Sequence, residues 1–230
     1  DGRDDLLLRG ATTWTVAVSQ GHSLSAISDT QIPHDGSTSV VTTDADGDGL
    51  QDLVTRVSGQ LRLRRHKGSR PDLMLTATDG FGVGAEYAYR PLADAGIYVR
   101  GTSAVYPEQD MQTAALVVSR LAVTDGSGQG TTAATEYSYE GLRRHLLGRG
   151  VLGFARRTHV DTTAGRRIRT EETRRQDVPF TGLPVSLVVR QESGQPVTAS
   201  TYQWSRLDLG SGAGARSFPY LSGAASHQYE

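Results

Sequence analysis

Two stretches of this chain, 47 residues apart, carry the same pattern, and a repeat of that length narrows the possible folds more than any other feature. Asp48-Gly49-Leu50-Gln51-Asp52-Leu53-Val54 aligns with Asp1-Gly2-Arg3-Asp4-Asp5-Leu6-Leu7 when Asp5 is set on Asp52. A period of 20–50 residues marks stacked units, none of which can bury its apolar face alone. The apolar run after each aspartate is short and strand-like, so the unit is a β-repeat of the size of one propeller blade. The chain is expected to begin inside a repeat, which leaves the first copy of the loop without its opening residues.

The complete copy runs Asp44-Ala45-Asp46-Gly47-Asp48-Gly49-Leu50-Gln51-Asp52. Carboxylates at relative positions 1, 3, 5 and 9, with glycine at 6, match the first part of a calcium loop. A hard cation takes six to eight oxygen ligands, so several carboxylates must converge on one point. Asp44, Asp46, Asp48 and Asp52 are the expected carboxylate ligands, and Leu50 supplies a backbone carbonyl at position 7. Gly49 permits the sharp bend. The EF-hand signature then breaks, because position 12 is Thr55 where that motif has a bidentate glutamate. Leu50, Leu53 and Val54 lead into a strand, not a helix. The competing account is a solvated Asp/Gly turn, and position-matched carboxylates favour calcium over it. A loop of this kind on a β-scaffold resembles the FG-GAP/VCBS propeller repeats.

Composition excludes several classes. The chain has 230 residues, no Cys, 27 Gly, 21% charged residues and a formal net charge of −1. That length can bury a real core as one large or two modest domains. Without Cys there is neither a disulfide framework nor thiol catalysis. No apolar run reaches the 18 residues that would suggest membrane insertion, and the near-neutral charge argues against a nucleic-acid partner. Arg62, Arg64, Arg65 and Lys67 cluster, but along a strand they read as a solvated face.

An all-β chain is expected throughout. Residues 12–18 and 38–43 are rich in Thr, Val and Trp, as strands are. Residues 1–67 read as propeller-type repeat, 68–71 as a linker (Gly68-Ser69-Arg70-Pro71) and 72–230 as a second region built of hairpins. In that region Thr78-Asp79-Gly80 precedes Glu86-Tyr87-Ala88-Tyr89, and Thr124-Asp125-Gly126 precedes Glu136-Tyr137-Ser138-Tyr139. Each is a strand, an Asp-Gly turn and a returning strand. The turn is expected to be type I′, or a three-residue loop with glycine in the left-handed region. Weaker hairpins are expected over 154–174, around Thr163-Ala164-Gly165, and over 185–204, around Ser193-Gly194. The tyrosine pairs each share one strand face and are read as packing residues. The only helical signal is a turn or two within 108–116.

These residues bring a family into view. Tyr137-Ser138-Tyr139-Glu140-Gly141, Gly148-Arg149-Gly150-Val151-Leu152-Gly153-Phe154 and Arg175-Gln176-Asp177-Val178-Pro179-Phe180-Thr181-Gly182-Leu183-Pro184 resemble the segment after the propeller in B components of insecticidal toxin complexes. Asp72-Leu73-Met74-Leu75-Thr76-Ala77-Thr78-Asp79-Gly80 and Tyr87-Ala88-Tyr89-Arg90-Pro91-Leu92 resemble the start of that middle region. The resemblance covers nearly the whole chain. It implies a secreted bacterial protein of the RHS-repeat type. Its propeller would gate and dock the pore-forming A component, and its strands would wrap a shell around a C-component effector.

No active site emerges from the sequence. His22, His34, His66, His145, His159 and His227 are scattered without metal-ligand spacing, and Gly-x-Ser-x-Gly is absent. Glu171 and Glu172 point to opposite faces of a strand. A structural, non-catalytic segment is therefore the leading reading. The alternatives are a calcium-dependent adhesion or glycan-binding module, and a hydrolase with an unrecognised site. The structural reading predicts apolar faces left exposed here and covered by the rest of the protein, with Phe81, Phe154, Phe180, Leu183 and Trp204 as the expected residues.

Overall fold

The computed structural model describes residues 3–36, 40–68, 73–124, 126, 131–163, 167–210 and 216–229, with the backbone alone for 131 and 132. Asp1, most of the 68–71 linker, Asp125 with the glycines at 128 and 130, and the Ala164-Gly165 turn lie outside the described residues. Among the described residues the chain is all-β, with no α-helix. Where a helical turn was expected within 108–116, Glu108–Asp110 is a strand, residues 111–115 form no regular element and Leu116 opens another strand. Glu108–Asp110 is held there by pairing with a longer strand, described below, which outweighs weak local periodicity.

The chain divides into two compact units, Asp1–Met74 and Leu75–Glu230. The first holds two three-stranded antiparallel sheets. One is β1 (Leu6–Arg9), β2 (Thr13–Ala17) and β3 (Ser28–Pro33); the other is β4 (Val40–Thr43), β5 (Asp52–Val57) and β6 (Gln60–Arg64). The 47-residue repeat is reproduced pair by pair. Leu6 opposes Ala17 as Leu53 opposes Arg64, and Arg9 opposes Trp14 as Arg56 opposes Leu61. The equivalence extends to one side-chain bond: Asp5 Oδ1 accepts the Ser19 N–H at 2.8 Å, and Asp52 Oδ1 accepts the His66 N–H at 2.9 Å. The repeated aspartate therefore staples the start of one strand to the end of the next. The hairpin β5–β6 turns through Ser58 (φ 50°) and Gly59 (φ 81°), a two-residue loop of type I′ form.

The second unit is one 11-stranded sheet. Its strands are β7 (Thr76–Thr78), β8 (Gly84–Pro91), β9 (Tyr98–Val99), β10 (Glu108–Asp110), β11 (Leu116–Thr124), β12 (Thr131–His145), β13 (Gly150–Asp161), β14 (Ile168–Arg174), β15 (Pro184–Arg190), β16 (Pro196–Leu209) and β17 (Arg216–Gln228). From β11 to β17 each strand pairs antiparallel with the next. All four expected hairpins form: β7–β8, β11–β12, β13–β14 and β15–β16. Tyr87 and Tyr89 lie on β8, and Tyr137 and Tyr139 on β12, as the pattern required.

The Asp79 turn is the three-residue form. Asp79 N donates to Val83 O at 3.0 Å and Gly82 N to Asp79 O at 3.3 Å. The left-handed residue is Gly82 (φ 82°), not Gly80. Asp79 Oδ1 takes the N–H groups of Phe81 and Val83, which places the special conformation two residues later. The β15–β16 turn repeats this arrangement, with Gly194 donating to Gln191 O and Gln191 to Gln195 O, both at 2.9 Å.

β12 decides the core. Its first half pairs with β11, and beyond Glu136 that edge would be bare. The excursion between β8 and β11 fills it, β9 pairing parallel with Tyr139 and Glu140, and β10 antiparallel with Arg143–His145. Leu92, Ile97, Tyr98 and Leu142 form the buried cluster, with Met111, Val117, Tyr139 and Phe154 packed against it. The Tyr98 hydroxyl donates to Met111 O at 2.5 Å and accepts the Leu142 N–H at 3.0 Å. At the outer end, Arg143 reaches Asp110, Glu108 and Ser103 at 3.1, 2.9 and 2.9 Å. Burial pushes the Asp110 carboxyl up, but the Ala104 N–H and Arg143 outweigh it and hold it below the usual carboxylate range.

Candidate metal site and exposed apolar face

The structure gathers three of the expected ligands. Asp44, Asp46 and Asp48 place one oxygen each within 4.8 Å of one another. The loop achieves this by turning each side chain onto its own backbone. Asp44 accepts from Gly47 N at 2.7 Å and Gly49 N at 2.8 Å, Asp46 from Asp48 N at 3.3 Å, and Asp48 from Leu50 N at 2.7 Å. Gly47 (φ 76°) and Gly49 (φ 83°) supply the left-handed bends that bring alternate residues inward. Arg65 Nε lies 3.5 Å from Asp46 Oδ2.

Asp52 sits apart from this cluster. It opens β5, is buried, and spends Oδ2 on the Ala45 N–H and Oδ1 on the His66 N–H. Those bonds, His66 first, hold its pKa below the usual carboxylate value. In this geometry Asp52 closes the loop on itself. Sequence spacing alone missed this bracing role, although the matching Asp5–Ser19 contact lies at the same 14-residue separation. Thr55, at position 12, is fully buried inside β5.

Several further carboxylates and histidines are paired or packed in the second unit. Glu171 meets Arg169 and Arg190, whereas Glu172 meets Arg157 and Arg174, consistent with opposite faces. His145 lines an open cleft with Glu108, Arg149, Arg206 and Ser217. His159 packs beside the Tyr137 ring, and burial lowers its pKa from the ordinary 6.5, helped by Arg157. Well above pH 6.5 both folded and unfolded forms of His159 are neutral. As pH falls below that value the unfolded chain takes the proton first, so stability declines. His159→Gln is therefore expected to flatten the loss of thermal stability below pH 6.5, read from melting temperatures of both proteins across that range. An unchanged slope would rule out this residue as its source.

The exposed apolar surface meets the expectation at Phe81 and departs from it at the other four residues. Phe81 is 91% exposed, but Phe154 packs against Tyr139, and Phe180 is buried under the Arg175 guanidinium. Leu183 is half-buried, and so is Trp204, whose indole N–H donates to Pro184 O. Local partners thus cover Phe154, Phe180 and Trp204 at least in part. The raw face is on the last hairpin. Leu207 opposes Phe218, Leu209 opposes Arg216 and Ser205 opposes Tyr220, so Leu207, Leu209, Phe218 and Tyr220 share one face. All four are exposed. The other face carries the Arg206–Asp208 ion pair and the Ser217–Asp208 hydrogen bond.

A protein-family profile described as "Insecticide toxin TcdB middle/N-terminal region" matches residues 17–182, well over half the chain. The chain belongs to this TcdB family. A search of the curated proteins finds no match. Among solved structures, the crystal structure of TcdB2-TccC3-Cdc42 superposes with a TM-score of 0.75 at 12% identity, and TcdB2-TccC3 with 0.76 at 11%. The Tc holotoxin pore of Photorhabdus luminescens, carrying a TccC3 mutation, gives 0.74 at 11%. In each case 98% of this chain is covered but only 14% of the solved chain. At such identities the likeness extends to the fold.

Proposed function

We propose that this chain is a non-catalytic structural segment of a secreted, Tc-type toxin B component. Residues 1–67 contribute blades of a propeller gate, and residues 72–230 form part of the β-shell that encloses an effector. The observation that carries this reading is the amphipathic β16–β17 ribbon, with Leu207, Leu209, Phe218 and Tyr220 exposed on one face. An apolar strip of that kind on a sheet margin is stable when further protein covers it. The partners are then the remainder of the same polypeptide, a C-component effector and a pore-forming A component. The test uses the full-length protein co-expressed with its effector component. Leu207→Asp with Phe218→Asp is expected to expose the effector to protease, while the parent protects it. Equal protection in both would reject the assignment to a shell.

Calcium at Asp44, Asp46 and Asp48 belongs to the same reading, with Leu50 contributing its carbonyl and Asp52 bracing the loop. Three converging carboxylates suit a hard cation, and each oxygen already bonded to an N–H retains a second lone pair. The ion would relieve the mutual repulsion of the three charges. Binding with Kd on the order of 10⁻⁴ M is expected, in the range of extracellular modules. At 100-fold excess over Kd the ion would stabilise the fold by about 2.7 kcal/mol. Calorimetry should show heat for the parent chain and none for Asp46→Ala with Asp48→Ala. Equal heats from the two proteins, or none from either, would refute a calcium site.

A further inference from the structure

The two repeats of the first unit are equivalent in register but not in cover. β2 lies between β1 and β3, whereas β6, its equivalent, pairs with β5 only among the described residues. The consequence is visible position by position. Trp14, on β2, is 6% exposed; Leu61, 47 residues later at the same register, is 77% exposed. Leu63, equivalent to half-buried Val16, is 47% exposed.

The backbone tells the same story. Val57 and Gln60 close a two-residue turn and form its hydrogen-bonded pair, so the pairs Thr55–Arg62 and Leu53–Arg64 are hydrogen-bonded in turn. The N–H and C=O groups of Leu61 and Leu63 then point away from β5. On β2 the matching outward residues face β3 and the chain before it: Trp14 O accepts the Thr30 hydroxyl at 2.6 Å, Val16 pairs with Ser28, and Val18, beyond the strand, exchanges bonds with Ser25. Ile32 stands directly opposite Trp14, and His34 packs edge-on against its ring.

The segment 47 residues after β3 is not available to β6. It contains β7, which pairs with β8 in the other unit. We propose that β6 accepts a β-strand from the same polypeptide upstream of Asp1, laid antiparallel along Gln60–Arg64, with an apolar residue opposite Leu61 as Ile32 opposes Trp14. The proposal rests on the propeller reading above. If the repeats stack into a ring, the last repeat must be closed by chain from the ring's other end, because hairpins and not a third repeat follow residue 67. The solved chains of this fold are long enough to hold such a strand, since this one covers 14% of their length.

The experiment uses the full-length protein. With p-benzoylphenylalanine in place of Leu61, irradiation and peptide mapping should yield one crosslinked peptide, derived from sequence upstream of Asp1. Crosslinks to a second copy, to another component, to sequence after residue 230, or to nothing would overturn the proposal. Hydrogen exchange on the unmodified protein provides a readout independent of that substitution. The Leu61 and Leu63 amides should exchange within about ten-fold of Arg62 and Arg64, which bond to β5. Outward amides exchanging 10³-fold faster would also overturn it. The proposal fails alone if the effector remains protected while these amides exchange freely. Loss of effector protection in the parent protein would instead refute the shell assignment.

Discussion

Tyr98→Ala is expected to lower the stability of the 75–230 unit by about 3–5 kcal/mol, the cost of emptying a buried aromatic site. Tyr98 is 3% exposed, and its ring meets Phe154 edge-on at 6.3 Å between centroids. Its hydroxyl serves a second purpose, joining Met111 O to Leu142 N. Tyr98→Phe isolates that purpose. The ring stays, while a buried N–H on β12 and a carbonyl at the end of the excursion lose their partner, at about 1–3 kcal/mol. Urea unfolding of the three proteins should rank them parent, Phe, Ala. For a domain with a total stability of about 5–15 kcal/mol, the alanine variant lies near the threshold of folding. Equal midpoints for Phe and parent would show that the hydroxyl bridge contributes nothing.

Gly141→Val is expected to be nearly as damaging, for backbone reasons. Gly141 has φ of 67°, and a Cβ built on it would stand 2.9 Å from the Ala155 Cβ on the neighbouring strand. A β-branched residue held in the left-handed region costs about 1–3 kcal/mol, and overpacking adds a similar amount. The position also receives a specific contact. Gln176 Nε2 donates to Gly141 O at 2.6 Å and to Gly153 O at 2.7 Å, tying the loop after β14 across β12 and β13. Moving the Gly141 backbone breaks that tie as well. Gly141→Ala should fall between parent and valine in denaturant midpoint. A valine variant as stable as the parent would mean the strand relaxes without cost.

Gly141 also shows where a motif acquires its reason. Tyr137-Ser138-Tyr139-Glu140-Gly141 was readable as a family mark, but its chemistry is tertiary. Tyr139 packs on Phe154 and sends its hydroxyl to Val118 O at 2.8 Å, Glu140 pairs with Arg156, and the glycine makes room for Ala155. None of these partners is within ten residues of the motif's centre.

What the sequence determined by itself was local and periodic. The 47-residue repeat, the four hairpins and the convergence of Asp44, Asp46 and Asp48 all depend on spacing within a few turns or on side-chain alternation, which the chain carries at every position. The tertiary structure decided the rest. It turned Asp52 into a staple by bringing the His66 amide to it, 14 residues away. It moved the exposed apolar face from Phe154, Phe180, Leu183 and Trp204 to Leu207, Leu209, Phe218 and Tyr220. It also turned the expected helical turn near 108 into β10. Burial and strand neighbours depend on contacts between residues far apart in sequence. Two leucine-bearing hydrophobic strands, one central and one at an edge, share the same local pattern, and only the assembled sheet distinguishes them.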